Sequence, residues 1–410
     1  MTTRANTLAV LEDRGPLRVM FLITSMPVGG AETLLVNLIR RLDRERFLPL
    51  LCCFKALGPL GEELAAEIPA FEHLIEHKFD VGVVGRLTKL LRDERIDAVV
   101  TVGAGDKMFW GRIAAKRAGV PVVLCALHST GWPDAIGRLN RSRIMTHWTD
   151  AFIGVADSHA RHLIEKEHFP TYKVRVIPNG VDAGRFHASR DSADLRRTLG
   201  LSVTAPVAGI VAALRPEKNH EMFLRVAAQV LKEVPEARFL VIGDGPERAK
   251  LERIAAELKL ERAVQFLGTR GDIPELLAAL DVFVLTSRIE ANPVSILEAM
   301  ATGKPVVAPR VGSISESVND GETGFLIEPG DTQQAAAAVV RLLSRPELAR
   351  RLGQAGRAAV VERWSLERMV AGYEDLIVEV YRQKSRDRRA LLAPVASATD
   401  QPVGQVERRS

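Results

Sequence analysis

The sequence predicts a two-domain α/β protein, each domain a parallel sheet wrapped by helices. Short apolar runs alternate with amphipathic helical stretches along most of the chain. A parallel sheet requires this order, because each strand must be carried back by a crossover before its neighbour is laid down. With 410 residues, 47% of them hydrophobic, the chain has the material for two cores and more length than one core usually organises. The alternation breaks where the apolar run 174–177 meets Pro178-Asn179-Gly180, turn chemistry before a polar segment. This places a first domain at 1–180 and a second at 181–365, followed by a helix over 366–385 and a polar tail over 386–410.

In the first domain a polar lead-in over 1–16 gives way to a buried strand over 17–25. Gly29 and Gly30 let the backbone turn tightly into a helix over 33–42, exposing amide N–H groups suited to a phosphate; an ordinary strand-to-helix turn is the alternative. Apolar strands follow over 47–54, 96–102 and 120–127, with helices over 62–67, 83–95 and 111–118. The last strand delivers His128 at its carboxyl end, where imidazole can donate or accept near neutral pH; a structural histidine is the alternative. Residues 132–147 carry Trp132, Arg138, Arg141 and Arg143 with few acids, and read either as a contact for an anionic or lipid-linked acceptor or as a solvated basic helix. A strand from Ala151 and a helix over 159–166 complete the domain.

An irregular connector over 183–202, with a charged helix over 192–199, leads to the buried strand over 206–213 with which the second domain opens. Arg215 and Lys218 follow in a loop that opens a helix to Lys232, and cations beside a helix start suit a diphosphate. Strands over 239–243 and 264–268 and a helix over 272–280 lead to a strand over 281–287. Glu290 then lies on the strand-end loop. Glu298 falls in the second turn of a helix, with Asn292 as its N-cap and Pro293 as its first residue. Both acids can face a crevice at the carboxyl edge of the sheet, where open α/β folds bind ligands. A carboxylate suits a ribose diol because each oxygen accepts an O–H hydrogen bond. Further on, Met369, Tyr373, Ile377 and Tyr381 recur at helical spacing. Five basic residues against one acid over 382–389 read as an anionic-lipid contact or a solvated helix end, and the tail over 386–410 reads as disordered.

With 56 basic and 51 acidic residues and a net charge of +5, the chain lacks a nucleic-acid signature; a phosphorylated substrate or an anionic membrane surface fits better. Cys52, Cys53 and Cys125 sit in apolar runs at spacings of neither a zinc site nor a disulfide framework, and read as buried thiols. No apolar run is long enough to span a bilayer and no signal-peptide core opens the chain, so the expected location is cytoplasmic, with any membrane contact peripheral. No metal-ligand cluster appears, and Gly243-Asp244-Gly245 lacks the later glycine of a dinucleotide motif. Neither a metal nor a cofactor is expected.

Taken in order, Gly29-Gly30-Ala31-Glu32, Pro178-Asn179-Gly180-Val181-Asp182, Leu214-Arg215-Pro216-Glu217-Lys218, the pair Glu290 and Glu298, and residues 312–331 resemble the retaining glycosyltransferases of family GT4, whose architecture is GT-B. The resemblance covers about residues 17–382. It implies two Rossmann-like domains facing a cleft, the first binding acceptor and the second a nucleotide sugar, with the C-terminal helix crossing back to the first. It implies metal-independent transfer from a UDP- or GDP-sugar to a carbohydrate or lipid-linked acceptor hydroxyl, with retention, in bacterial polysaccharide, lipopolysaccharide or glycolipid synthesis. On the matching positions, Glu290 with Ala291, Asn292, Pro293 and Val294 holds the donor sugar, and Glu298 holds the ribose. His128 faces sugar and acceptor and forms the catalytic pair with Glu290. Thr269 and Arg270 lie where relatives hold the base, and Gly29, Gly30, Arg215 and Lys218 serve the diphosphate. The chain departs from the pattern at Ala291-Asn292, where Gly-Phe is usual, at Ala213, where Arg is common, and at Ser313, where a second glycine is usual. The rival readings are a sugar-nucleotide epimerase or phosphorylase on the same fold, and a nucleotide-sugar-binding protein without turnover, which the departures favour.

Overall fold

In the first domain β1 (Leu17–Ile23), β2 (Phe47–Cys53), β3 (Ala70–Phe71), β4 (Ala98–Val102), β5 (Val122–Ala126), β6 (Ala151–Gly154) and β7 (Val174–Val176) form one parallel sheet in the order β3-β2-β1-β4-β5-β6-β7. The structure is a computed structural model that describes residues 15–77, 80–103, 105–128, 143–187 and 192–392. In the second domain β8 (Val207–Val211), β9 (Arg238–Ile242), β10 (Val264–Gly268), β11 (Val282–Val284), β12 (Val306–Pro309) and β13 (Gly324–Ile327) form a parallel sheet in the order β10-β9-β8-β11-β12-β13. Strand order reverses between β1 and β4 and between β8 and β11. At such a reversal the following loops diverge to opposite faces and open a crevice at the carboxyl edge.

The strands read as unbroken apolar runs because both faces are covered. In β1, Val19, Phe21 and Ile23 enter one core while Met20 and Leu22 enter the other, the alternation that a strand dictates. The second domain gathers around one cluster that includes Ile210, Phe239, Phe283 and Val307.

The chain crosses between the domains twice, side by side. Val181 N–H donates to the Trp364 carbonyl (2.9 Å) and Leu366 N–H to the Val181 carbonyl (3.2 Å). A side chain on Gly180 would start 2.7 Å from Leu366 Cα, so glycine is what lets the two passes touch. The helix Leu366–Leu392 then lies on the first domain, with Met369, Tyr373, Ile377 and Tyr381 in the core beneath β1. Glu374 on this helix accepts from Asp43 N–H (2.8 Å) and from Arg46 (3.1 Å).

Several boundaries differ from the sequence expectation. The last helix runs on to Leu392, past residue 385, so the first part of the expected tail is helical. Its basic end is partly neutralised from within, because Lys384 Nζ pairs with Asp150 (2.7 Å). The helix Asp106–Ala118 starts ahead of residue 111; its first five residues include Phe109 and Trp110, aromatic residues whose helicity is set by packing more than by propensity. Residues 1–14, 129–142 and 393–410, and with them Trp132, Arg138 and Arg141, lie outside the described residues. The three cysteines are buried and unbridged. Among the described residues no helix is long and apolar enough to cross a membrane, and no His, Cys, Asp and Glu side chains gather as a metal site.

Candidate active site

The loops after β8 and β11 meet at the second domain's switch point. Glu290, on the β11 loop and almost wholly buried, accepts at Oε1 from Lys218 Nζ (2.6 Å) and from Ser287 Oγ (2.6 Å). Lys218 comes from the β8 loop, and the two loops are tied along their backbones. Thr286 Oγ1 donates to the carbonyls of Lys218 (3.2 Å) and Asn219 (3.0 Å), and Arg288 N–H donates to the Glu217 carbonyl (2.8 Å). A buried carboxylate without a cation would cost several kcal/mol, about 3–5 for removal of one partner, so the two side chains stand or fall together. Glu290 Oε2 has no hydrogen bond among the described residues, which leaves it available to a ligand hydroxyl.

The helix carrying the second acid is Val294–Ala301, and Pro293, not Asn292, occupies its cap. Asn292 serves elsewhere: its carbonyl accepts from Asn179 Nδ2 of the first domain (3.0 Å), both residues being buried. Glu298 lies in the second turn as expected, half-buried and with no hydrogen bond to its carboxylate among the described residues. Burial pushes its carboxyl up to about 7, against the pull of Arg185. A half-buried acid at the cleft with its oxygens unfilled and its carboxyl raised is a candidate ligand group.

Across the cleft, Gly30 begins the helix Gly30–Arg41 behind Gly29, which holds the cap position with an extended backbone. A Cβ at Gly30 would lie 3.8 Å from Val294 Cβ, and Val294 packs against the first domain's core. The glycine turn and the start of the Glu298 helix are therefore brought together. Ala291 and Pro293 are buried beside them. His128 follows β5, half-buried, at the carboxyl edge of the first sheet.

The remaining candidates divide. Arg215 is exposed and its guanidinium has no partner among the described residues. Thr269 is exposed after β10, whereas Arg270 is held bidentately by Asp272 (2.7 and 2.5 Å), which raises the Arg270 pKa and lowers that of Asp272. Ser287, Asn179 and His220 were not anticipated from the sequence. His220 is buried behind Lys218, and burial together with that ammonium lowers its pKa to about 4, so it is neutral near pH 7 and adds no charge to the loop.

Residues 28–185 match the family model described as Glycosyltransferase Family 4, and residues 191–359 match that described as Glycosyl transferases group 1. D-inositol 3-phosphate glycosyltransferase of Nocardia farcinica is 30% identical over 324 residues, covering 76% of this chain and 67% of that protein. The chain belongs to glycosyltransferase family 4. This family 4 glycosyltransferase is also 29% identical over 377 residues to the UDP-Gal:alpha-D-GlcNAc-diphosphoundecaprenol alpha-1,3-galactosyltransferase of Escherichia coli, covering 88% of this chain and 96% of that one. The crystal structure of Anabaena HepE in complex with UDP-glucose superposes with a TM-score of 0.74 at 25% identity, covering 91% of this chain and 100% of that one. The two parallel-sheet domains of the glycosyltransferase are thus those of the GT-B fold.

Proposed function

We propose that this glycosyltransferase moves a sugar from a nucleotide-diphosphate sugar to an acceptor hydroxyl, with retention of the anomeric configuration. The observation that carries the reading is the Lys218–Glu290 pair at the switch point, with an unfilled Glu298 on the adjoining helix. Lys218 and Arg215 supply positive charge where the departing diphosphate gains negative charge. Glu290 Oε2 accepts from a sugar hydroxyl, and Glu298 accepts from the ribose diol. The amides at Gly29 and Gly30 face the diphosphate from the other domain, and His128 stands on the acceptor side. In the step, the bond from C1 to the phosphate oxygen breaks, a bond from C1 to the acceptor oxygen forms on the same face, and the acceptor proton leaves with the diphosphate. None of these roles calls for a bound metal.

The activities and ligands named for relatives support a UDP-sugar as the first donor to try, and a carbohydrate or lipid-linked acceptor of a bacterial surface glycan. A GDP-sugar is the second donor, since other relatives are named as GDP-mannose-dependent. With such an acceptor, our reading is of an enzyme working in the cytoplasm at the inner membrane face, with exposed cations such as Arg386 available to anionic lipid.

A thermal-shift screen of nucleotide sugars, followed by transfer of radiolabelled sugar, tests this. Label on an acceptor, with the donor's anomeric configuration by NMR, is the expected result. Label that stays on the nucleotide as an epimer, transfer that requires inorganic phosphate, or binding without turnover across an acceptor panel would each replace it with one of the rival readings.

A further inference from the structure

Glu316 joins the two domains at a point away from the chain crossings. It stands on the short second-domain helix Ile314–Ser317, and its carboxylate accepts at Oε2 from Asp157 N–H (3.0 Å) and at Oε1 from Ser158 N–H (2.7 Å). Those two amides open the first-domain helix Asp157–Glu165, whose cap residue Ala156 offers no side-chain acceptor. A helix leaves its first N–H groups without an internal partner and carries partial positive charge at that end. A carboxylate from the other domain meets both needs. The loop that presents Glu316 also reaches the site, because Gly312 packs directly on the Glu290 carbonyl, leaving no room for a Cβ. Opening the cleft about the passes at Val181 and Leu366 would draw Glu316 off the helix.

We propose that Glu316 is a positioning residue for sugar transfer: it latches the second domain onto the Asp157–Glu165 helix and, through Gly312, fixes the Glu290 loop when the cleft is closed. Its effect on turnover rests on the transfer reading given above; the latch itself does not.

The test uses the full chain with Glu316→Ala, Glu316→Gln and Asp157→Pro. In the presence of UDP, small-angle X-ray scattering should show a larger radius of gyration for Glu316→Ala than for wild type. Calorimetric affinity for UDP should fall less than turnover does, since on the reading above only the Gly29 and Gly30 amides reach the nucleotide from the first domain, while kcat falls about tenfold or more as two charge-assisted hydrogen bonds are lost. Glu316→Gln retains one acceptor oxygen and should fall between. Asp157→Pro deletes one donor without touching Glu316. Proline suits the first helical position, and the extended Ala156, at φ −165°, suits the residue before it. It should open the cleft in the same direction, and it carries the test if Glu316→Ala fails to fold. Wild-type scattering and turnover in both Glu316→Ala and Asp157→Pro overturn the proposal, and an opened cleft with wild-type turnover overturns the positioning role. If the wild type itself turns over no nucleotide sugar, the transfer reading fails and the scattering comparison alone decides the latch.

Discussion

Gly312 lies against the backbone of Glu290 so closely that a Cβ placed on it would sit 1.7 Å from the Glu290 carbonyl oxygen, and its φ of +54° is left-handed. Glycine is thus required there on two separate grounds, space and conformation. Gly312→Ala must push the Glu290 loop away, loosening the Lys218 and Ser287 hydrogen bonds. We expect a stability loss of about 1–3 kcal/mol and a fall in kcat of about tenfold or more, since one charge-assisted bond is worth that much. Denaturant melts and steady-state kinetics check both; wild-type kcat would show that the loop need not be held.

Glu298 should make donor binding depend on pH. With its carboxyl raised to about 7, the acid is largely protonated below neutrality and a weaker acceptor for the ribose diol. Affinity for UDP-glucose, whose diphosphate diester does not titrate near neutrality, should therefore fall as pH drops through 7, by up to about tenfold per unit. Glu298→Gln should bind more weakly at about pH 8 and show a flat profile. The stability effect has the opposite sense. A folded-state pKa above the unfolded value contributes stability present below the unfolded pKa and lost as pH rises through 7. Glu298→Gln should then be more stable than wild type at about pH 8, by on the order of 2 kcal/mol, with the gain gone near pH 4. Isothermal titration and thermal melts across pH measure each arm.

Ser313 stands where relatives commonly carry glycine, and its hydroxyl is fully buried with no hydrogen-bond partner among the described residues. A buried, unsatisfied hydroxyl costs about 1–3 kcal/mol. Ser313→Ala should stabilise the chain by about 1 kcal/mol, read as a raised denaturation midpoint at unchanged slope. A lowered midpoint would mean that the hydroxyl has a bonded partner in solution.

How much of the fold and site is readable follows from which signals are local. The buried strands can be read because two covered faces leave an unbroken apolar run, as in β4, where Ala98, Val99, Val100 and Val102 are all buried. β3 cannot, since Ala70–Phe71 is too short to show a period. The acids Glu290 and Glu298 stand out through the family resemblance of their flanks more than through spacing alone, and the helix period puts Met369, Tyr373, Ile377 and Tyr381 on one face. Their surroundings do not show locally. Lys218 reaches Glu290 from a loop 72 residues away, and Glu316 reaches Ser158 across 158. Pairings of that kind are made by topology and leave no neighbouring pattern. Local chemistry points to Asn292 as a helix cap, and it loses that role because its carbonyl is engaged by Asn179 from the other domain.

The charge that meets the departing diphosphate gives the last prediction. Ala213 removes the arginine that relatives commonly place in this loop, and Lys218, the remaining half-buried cation, is already committed to Glu290 at 2.6 Å. A carboxylate at that distance cancels much of the ammonium's field, so Lys218 alone is a poor match for a diphosphate carrying more than one negative charge. Arg215 lies in the same loop, exposed and with no partner for its guanidinium among the described residues, free to swing onto a bound phosphate and to bind two oxygens at once. We therefore expect Arg215→Ala to cut kcat about ten- to hundredfold, comparably with Lys218→Ala, and Arg215→Lys to recover only part of it, because a point charge replaces a fork. With these cations in place, turnover should also survive exhaustive EDTA treatment. Steady-state kinetics on the three variants decide the assignment: if Lys218→Ala is crippled while Arg215→Ala keeps wild-type kcat and donor KM, Arg215 is a solvent-facing residue. Activity abolished by EDTA and restored by magnesium or manganese would instead hand the diphosphate charge to a metal.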